Sequence, residues 1–156
     1  MNAEDRCLIT ISRAELKHSA EIYDIECDSF ADPWSPGAIG AEILSEDSVC
    51  LVSIANDTAV VGYVSMRHIV DEGHINNIAV APGYRNMGIA SMLMEALLAE
   101  ADRLGIIGTT LEVRVSNRAA ISLYDKHGFI IEGYRKYYYS SPTEDAAIMW
   151  RRRSPT

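Results

Sequence analysis

Only three cysteines, Cys7, Cys27 and Cys50, are scattered through the 156 residues, odd in number and without a CxxC pair. That spacing excludes a disulfide framework and offers no zinc motif, so small reduced core thiols are expected. The histidines at 18, 68, 74 and 127 show no HExxH or similar ligand spacing, and no metal is expected. No apolar run approaches the roughly 20 residues that a bilayer requires, and the segment from Met1 to Cys7 has no basic region leading into an apolar stretch. A soluble, cytoplasmic protein without a membrane partner is the expectation. Positive charge is also scarce: the net charge is −8 and the pI about 4.9, which argues against a nucleic-acid backbone as the main partner.

What is present is ordinary globular material, 48% hydrophobic and 23% charged, long enough for one domain over residues 1–156 with its own core. Its charge is unevenly divided. Residues 1–75 carry 14 acids and 4 bases, whereas residues 76–156 carry 8 acids and 10 bases. Such a division suits an acidic half that receives a cationic acceptor and a second half that receives an anionic cofactor; a solubilising acidic surface explains it equally well.

The pattern from Cys7 to Ile11 predicts a strand, followed by a helix to about Ser29 opened by a Ser12/Glu15 capping box and striped by Leu16, Tyr23 and Cys27. Ser35-Pro36 opens a second helix to about Leu44. Val49 to Ala55 and Ala59 to His68 flank Asn56-Asp57 as a hairpin, and His74 to Val80 is a further strand. A helix from about Gly88 to Leu104, a strand from Thr109 to Val115, a helix from Arg118 to His127 capped by Asn117, and two closing strands complete the order βααβββαβαββ. The fold class is therefore α/β, a mixed seven-stranded sheet, antiparallel first and parallel near its middle, with helices on both faces.

Arg85-Asn86-Met87-Gly88-Ile89-Ala90 lies between a strand and an amphipathic helix. The first amides of that helix lack partners, its N-terminus carries about half a positive charge, and small side chains at Gly88 and Ala90 let a phosphate approach the backbone. A glycine loop alone is a weak signal. In Leu111-Glu112-Val113-Arg114-Val115, period two turns Glu112 and Arg114 away from the apolar face, while Tyr124 falls on the sheet side of its helix. Amine acylation needs a base, because an α-amino group titrates near 8 and lysine near 10.4. Glu112, raised by partial desolvation, fits that role, and Tyr124 suits protonation of a leaving thiolate. Pairing of Glu112 with Arg114 or Arg67, and a core role for Tyr124, are the plainer readings.

The run from Ala79 to Ala90, followed by Glu112, Asn117 and Tyr124, resembles the GNAT acetyltransferases, whose signature is R/Q-x-x-G-x-G/A. The resemblance extends from the strand at Cys7 through the closing strands. It implies splayed central parallel strands, acetyl-CoA as co-substrate, and no metal. It further implies that Ile78, Ala79 and Val80 present backbone to the pantetheine arm, that Arg85, Asn86, Met87, Gly88, Ile89 and Ala90 hold the pyrophosphate, and that Asn117 and Tyr124 touch the coenzyme. Glu112 is the implied base and Tyr124 the implied acid. The segments L-E-V-R-x-S-N and A-I-x-L-Y are most similar to members that acetylate the N-terminal alanine of a ribosomal protein, acting by direct attack in a ternary complex. That similarity makes a ribosomal-protein N-terminal peptide the expected partner; Trp34 and Tyr138 suit a clamp on its backbone and Glu72 an attraction for its basic residues, while a monomer is one option for an oligomeric state the sequence leaves open. Glu26 and Asp28 are further candidates for attracting basic residues of such a peptide. The departures are Ala90 for the final glycine, polar Asn76 where relatives usually carry a bulky apolar residue, and the triple run Tyr137 to Tyr139. Acetylation of a small amine or of protein lysine, and a non-catalytic acyl-CoA-binding subunit, remain open alternatives.

Overall fold

The computed structural model describes residues 7–153. Its strands are β1 (Ile9–Arg13), β2 (Ser48–Ala55), β3 (Ala59–Ile69), β4 (Glu72–Val80), β5 (Gly108–Arg114), β6 (Ile130–Tyr139) and β7 (Glu144–Arg152). The helices are α1 (Ser19–Ser29), α2 (Pro36–Leu44), α3 (Ile89–Arg103) and α4 (Arg118–Lys126), in the expected order. All seven strands join one mixed sheet ordered β1-β2-β3-β4-β5-β7-β6. Its one parallel pair, β4 with β5, is laddered only at Glu72↔Gly108, Gly73↔Thr109 and His74↔Thr110. Beyond His74 the two strands part, which opens a wedge in the middle of the sheet.

Alternation along β2 and β3 divides the apolar residues between two cores. Val49, Leu51, Val61 and Val64 face α3, whose Leu93, Leu97 and Ala101 are fully buried. Cys50, Val52, Val60 and Tyr63 face α1 and α2, through Ile22, Ile25 and Ile39. Helices thus cover both faces. Truncating Leu97 to alanine would cost about 2–5 kcal/mol, since the lost transfer energy is compounded by a cavity. The β2–β3 hairpin turns at Asn56 and Asp57, with φ of 52° and 61°, the left-handed pair that a two-residue turn requires. Among the described residues no helix is long and apolar enough to cross a membrane.

The first helix differs from its expected form. Ser12 lies within β1 opposite Val52, so it caps nothing; Glu15 instead caps a short 3-10 turn, Leu16–His18, and its backbone amide donates to His18 Nδ1 at 2.9 Å. Pairing with β2 holds the chain extended longer than local pattern suggests. The stripe also shifts: Leu16 and Cys27 are exposed, while Ile22, Ile25 and the carboxylate of Glu26 are buried.

A bulge in β4 matters most for the site. Met66 pairs with Ile75 and the adjacent Ser65 with Asn77, leaving Asn76 unpaired. An extra residue resets which face each following side chain occupies. Ile75 and Ile78 both pack toward α3, and between them Asn76 and Asn77 both reach toward the α1/α2 face.

Candidate active site

After β4 the chain makes a 3-10 turn at Pro82–Tyr84, passes Asn86 at φ 62° and enters α3 through Gly88 at φ 81°. A side chain at Gly88 would meet nothing within 4 Å, so it is the left-handed backbone, not space, that favours glycine here. The first bond into the helix runs from the Met92 amide to the Gly88 carbonyl at 3.1 Å, and no side chain caps this end. The amides of Ile89, Ala90 and Ser91 are therefore without helical acceptors. By contrast α2 and α4 are capped: Ser35 Oγ accepts from the Ala38 amide, and Asn117 Oδ1 accepts from the Ala120 amide at 3.1 Å. Asn117 thus caps α4 as its place before Arg118 predicts, and its side-chain oxygen is committed there.

Ile89 is buried and fixes the start of α3 to the core, Ala90 is partly buried and Met87 is exposed. Arg85, expected on phosphate, turns back: its Nε donates to the Val80 carbonyl at 2.9 Å and Nη2 donates to Ser29 Oγ at 3.3 Å. It braces the loop and occupies the Val80 acceptor. Ile78 and Ala79 lie on the part of β4 that has left β5, so the β5-facing main-chain edge there has no ladder partner.

Inside the wedge, Glu112 on β5 places Oε2 2.6 Å from His74 Nε2 on β4, and Oε1 3.8 Å from Arg135 Nη2 on β6. The hydrogen bond from His74 holds the Glu112 carboxyl below its ordinary range, outweighing the desolvation that pushes the other way. The expectation of a raised Glu112 is overturned, because a basic partner lies where solvent loss alone was anticipated. The same bond raises His74. Neither plainer pairing occurs: Arg114 bonds Glu144 and Arg67 bonds Glu42.

His74 is not marked as a site residue by sequence spacing, because its partner Glu112 lies on another strand. The local signal is the alternation His74-x-Asn76, two polar side chains spaced to share one face of β4. A chain of contacts continues from it. His74 Nδ1 lies 3.1 Å from Asn76 Oδ1, and Asn76 Nδ2 donates to Glu42 Oε1 at 3.2 Å. Glu42, buried on α2, also accepts from Ser48, Ser65 and Arg67.

Tyr124 is buried, with its ring 5.9 Å from Phe129, and burial pushes its hydroxyl above the ordinary tyrosine range, with a smaller push from Tyr139. Full proton transfer from Tyr124 to a thiolate is accordingly harder than its free value suggests, which leaves hydrogen bonding as its more suitable contribution.

On the acceptor side, Tyr138 is partly exposed, edge-on to Tyr139 at 4.9 Å, and has the Arg135 guanidinium 5.6 Å above its ring, one step from Glu112. Trp34 packs on the α1/α2 core, and its backbone amide donates to Glu26 Oε2 at 3.2 Å. Glu26 also accepts from Tyr63 Oη and Asn77 Nδ2, fully buried, so it organises the loop and is not a surface lure for basic residues. Glu72 begins β4 at the closed end of the wedge, beside Gly108, Trp150 and Arg152, and is not brought together with Trp34 or Tyr138.

Residues 19–129 match the model of the acetyltransferase (GNAT) family. Ribosomal protein bS18-alanine N-acetyltransferase of Escherichia coli K12 is 32% identical over 142 residues, covering 90% of this chain and 95% of its own length. The Salmonella typhimurium protein of that name is 33% identical over 146 residues, with the same coverage. In solved structures, the E. coli ribosomal-protein-S18-alanine N-acetyltransferase superposes with a TM-score of 0.88 at 32% identity over 96% of each chain. Ard1 of Thermoplasma volcanium superposes at 0.84 with 29% identity, over 94% of this chain and 99% of its own. A wedge between parted parallel strands, an open helix N-terminus beside it, and this breadth of similarity agree: the chain belongs to the GNAT acetyltransferase family.

Proposed function

We propose that this chain is a single-domain cytoplasmic enzyme that transfers the acetyl group of acetyl-CoA to the N-terminal α-amine of a ribosomal protein beginning with alanine, of the bS18 type. The observation that carries the reading is the 2.6 Å His74–Glu112 pair in the wedge, beside the uncapped start of α3. The bS18-alanine enzymes at 32–33% identity support the choice of acceptor.

The coenzyme's pyrophosphate fits the amides of Ile89 and Ala90 and the turn from Arg85 to Gly88, where no side chain caps the helix start and Gly88 carries no Cβ. We assign its pantetheine to the unladdered edge of β4 at Ile78 and Ala79, with Asn117 and Tyr124 as its further contacts. Arg85 serves by holding the loop in shape. The thioester supplies an activated acetyl group. Trp34 and Tyr138 flank the acceptor chain. The His74–Glu112 pair takes the proton from the ammonium, freeing the amine to attack the thioester carbonyl while both substrates are bound. The C–N bond forms as the C–S bond breaks, the nitrogen gives its second proton to the departing thiolate to complete the amide and the free thiol, and the Tyr124 hydroxyl donates a hydrogen bond to that sulfur as its charge develops.

The test is a mass-spectrometric assay comparing a bS18-type peptide beginning Ala-Arg with polyamines and free lysine. Acetyl addition at the peptide α-amine is expected. Turnover of polyamine or lysine without peptide turnover would replace this acceptor, and coenzyme binding with no turnover of any amine would identify a binding subunit.

A further inference from the structure

We propose that Asn76, anchored by Glu42, is a positioning residue that keeps a proton on His74 Nδ1 and so makes His74 Nε2, against Glu112, the atom that exchanges a proton in the cleft. This rests on the reading of His74 and Glu112 as the base.

The argument starts from Glu42. Its carboxylate accepts from Ser48 Oγ and Ser65 Oγ at 2.9 Å each and from Arg67 Nη2 at 3.2 Å, so it acts purely as an acceptor. Asn76 must turn its amide nitrogen to such a neighbour, and it does so at 3.2 Å. The carboxamide is thereby oriented, since its two ends are told apart by their partners. Oδ1 then faces His74 Nδ1 at 3.1 Å and accepts from it. With Nδ1 always the donor, the lone pair of neutral His74 sits on Nε2, 2.6 Å from the Glu112 carboxylate. Two acceptors at that distance create a strong site for one proton, which the ammonium of the acceptor supplies. The opposite tautomer would donate from Nε2 to Glu112 permanently and turn its lone pair onto Asn76 Oδ1, leaving no vacancy on the cleft side.

The β4 bulge makes this possible by turning Asn76 and Asn77 to one face, where each meets a buried helix carboxylate. The charged and titratable groups around the pair are Glu42 on α2, Arg67 on β3, Glu112 on β5, and Arg135 and Tyr139 on β6. Asn76 is the neutral member that selects the tautomer among them, which gives this departure from the family pattern a chemical role.

The experiment combines imidazole ¹⁵N NMR, with the His74→Gln spectrum as assignment, and pH profiles of kcat/KM. In the wild type above the titration of the pair, the His74 proton is expected on Nδ1. In Asn76→Leu it moves to Nε2, the acid limb moves down by about one pH unit and kcat falls roughly tenfold, while the KM for acetyl-CoA holds. Asn76→Asp retains an acceptor and adds charge, so it keeps the Nδ1 proton and moves the acid limb up. Opposite shifts from two substitutions at one position are not what a merely structural role produces. A wild-type proton on Nε2, an unchanged tautomer in Asn76→Leu, or limbs moving in the same direction would overturn the proposal. If Asn76→Leu does not fold, the wild-type tautomer and Asn76→Asp decide. Failure of the base reading shows separately, as full turnover by Glu112→Gln and His74→Gln, because the tautomer is read without turnover.

Discussion

The α3 end of the cleft is built almost wholly from main chain, whereas the wedge between β4 and β5 is lined by side chains from β4, β5, β6 and α2. The first depends on a few consecutive φ angles, Gly88 at 81° foremost, and on the omission of a cap. The second depends on register: a bulge must turn Asn76 inward, and three ladder pairs must hold His74 beside Thr110 so that its ring reaches Glu112. A main-chain site serves binding, since it holds an anion without titrating near neutral pH. A side-chain network suits proton transfer, since its members can gain and lose charge. The two halves should therefore fail in different currencies.

The sharpest separation is expected from Glu112→Gln, which leaves the geometry of α3 untouched and removes the carboxylate that shares the proton with His74. Turnover should fall by about 10²- to 10⁴-fold, the usual worth of a general base, with acetyl-CoA affinity unchanged within about twofold. Steady-state kinetics beside calorimetric titration of the coenzyme read both quantities. A coenzyme affinity that drops as far as kcat would show the halves to be one unit.

The converse substitution is Gly88→Ala. Its Cβ has room but its backbone does not, so about 1–2 kcal/mol of left-handed strain pushes the loop to relax and turn its amides aside. Acetyl-CoA affinity should weaken by roughly tenfold, equivalent to about 1.4 kcal/mol, while kcat at saturating coenzyme stays within about threefold. A fall in kcat with unaltered affinity would mean that this turn positions the reacting carbonyl and does not simply hold phosphate.

The same contrast explains what could be read in advance. The α3 loop was legible because its determinants are contiguous: a strand end, a glycine and an amphipathic helix follow one another within about a dozen residues of sequence. The hairpin at Asn56-Asp57 and the helix opened by Ser35-Pro36 were legible for that reason too. His74 was not, because its meaning comes from a residue 38 positions away across the one parallel pair, and parallel register leaves no local trace. The direction of the Glu112 shift is hidden on the same ground, since burial follows from pattern and a basic neighbour does not. Glu26 looked like a surface acid because helix periodicity cannot see Tyr63 and Asn77 arriving from β3 and β4 to satisfy it. Asn76 was visible as an oddity without a reason; the reason lies in a bulge, which adds one residue to a strand and leaves composition and alternation nearly unchanged.

The smallest effect should be one of stability, and it tests whether the wedge network also supports the fold. His74 is raised by its bond to Glu112, so its stabilising contribution is complete below the unfolded value near 6.5 and fades as pH rises through the folded value. Glu112 is lowered by the same bond, so its contribution is complete above the unfolded value near 4.3 and fades as pH falls through the folded value. The two limits leave a window from about pH 4.5 to 6.5 in which the pair stabilises most. His74 is 41% exposed in its side chain, so solvent screening holds the gain to about 1 kcal/mol or less. Urea denaturation of wild type and His74→Gln across pH 4 to 9 should show a difference that peaks inside the window and shrinks on both sides. A difference independent of pH would assign the role of His74 in stability to packing, and the wedge would then resemble the α3 loop in being shaped by contacts more than by charge.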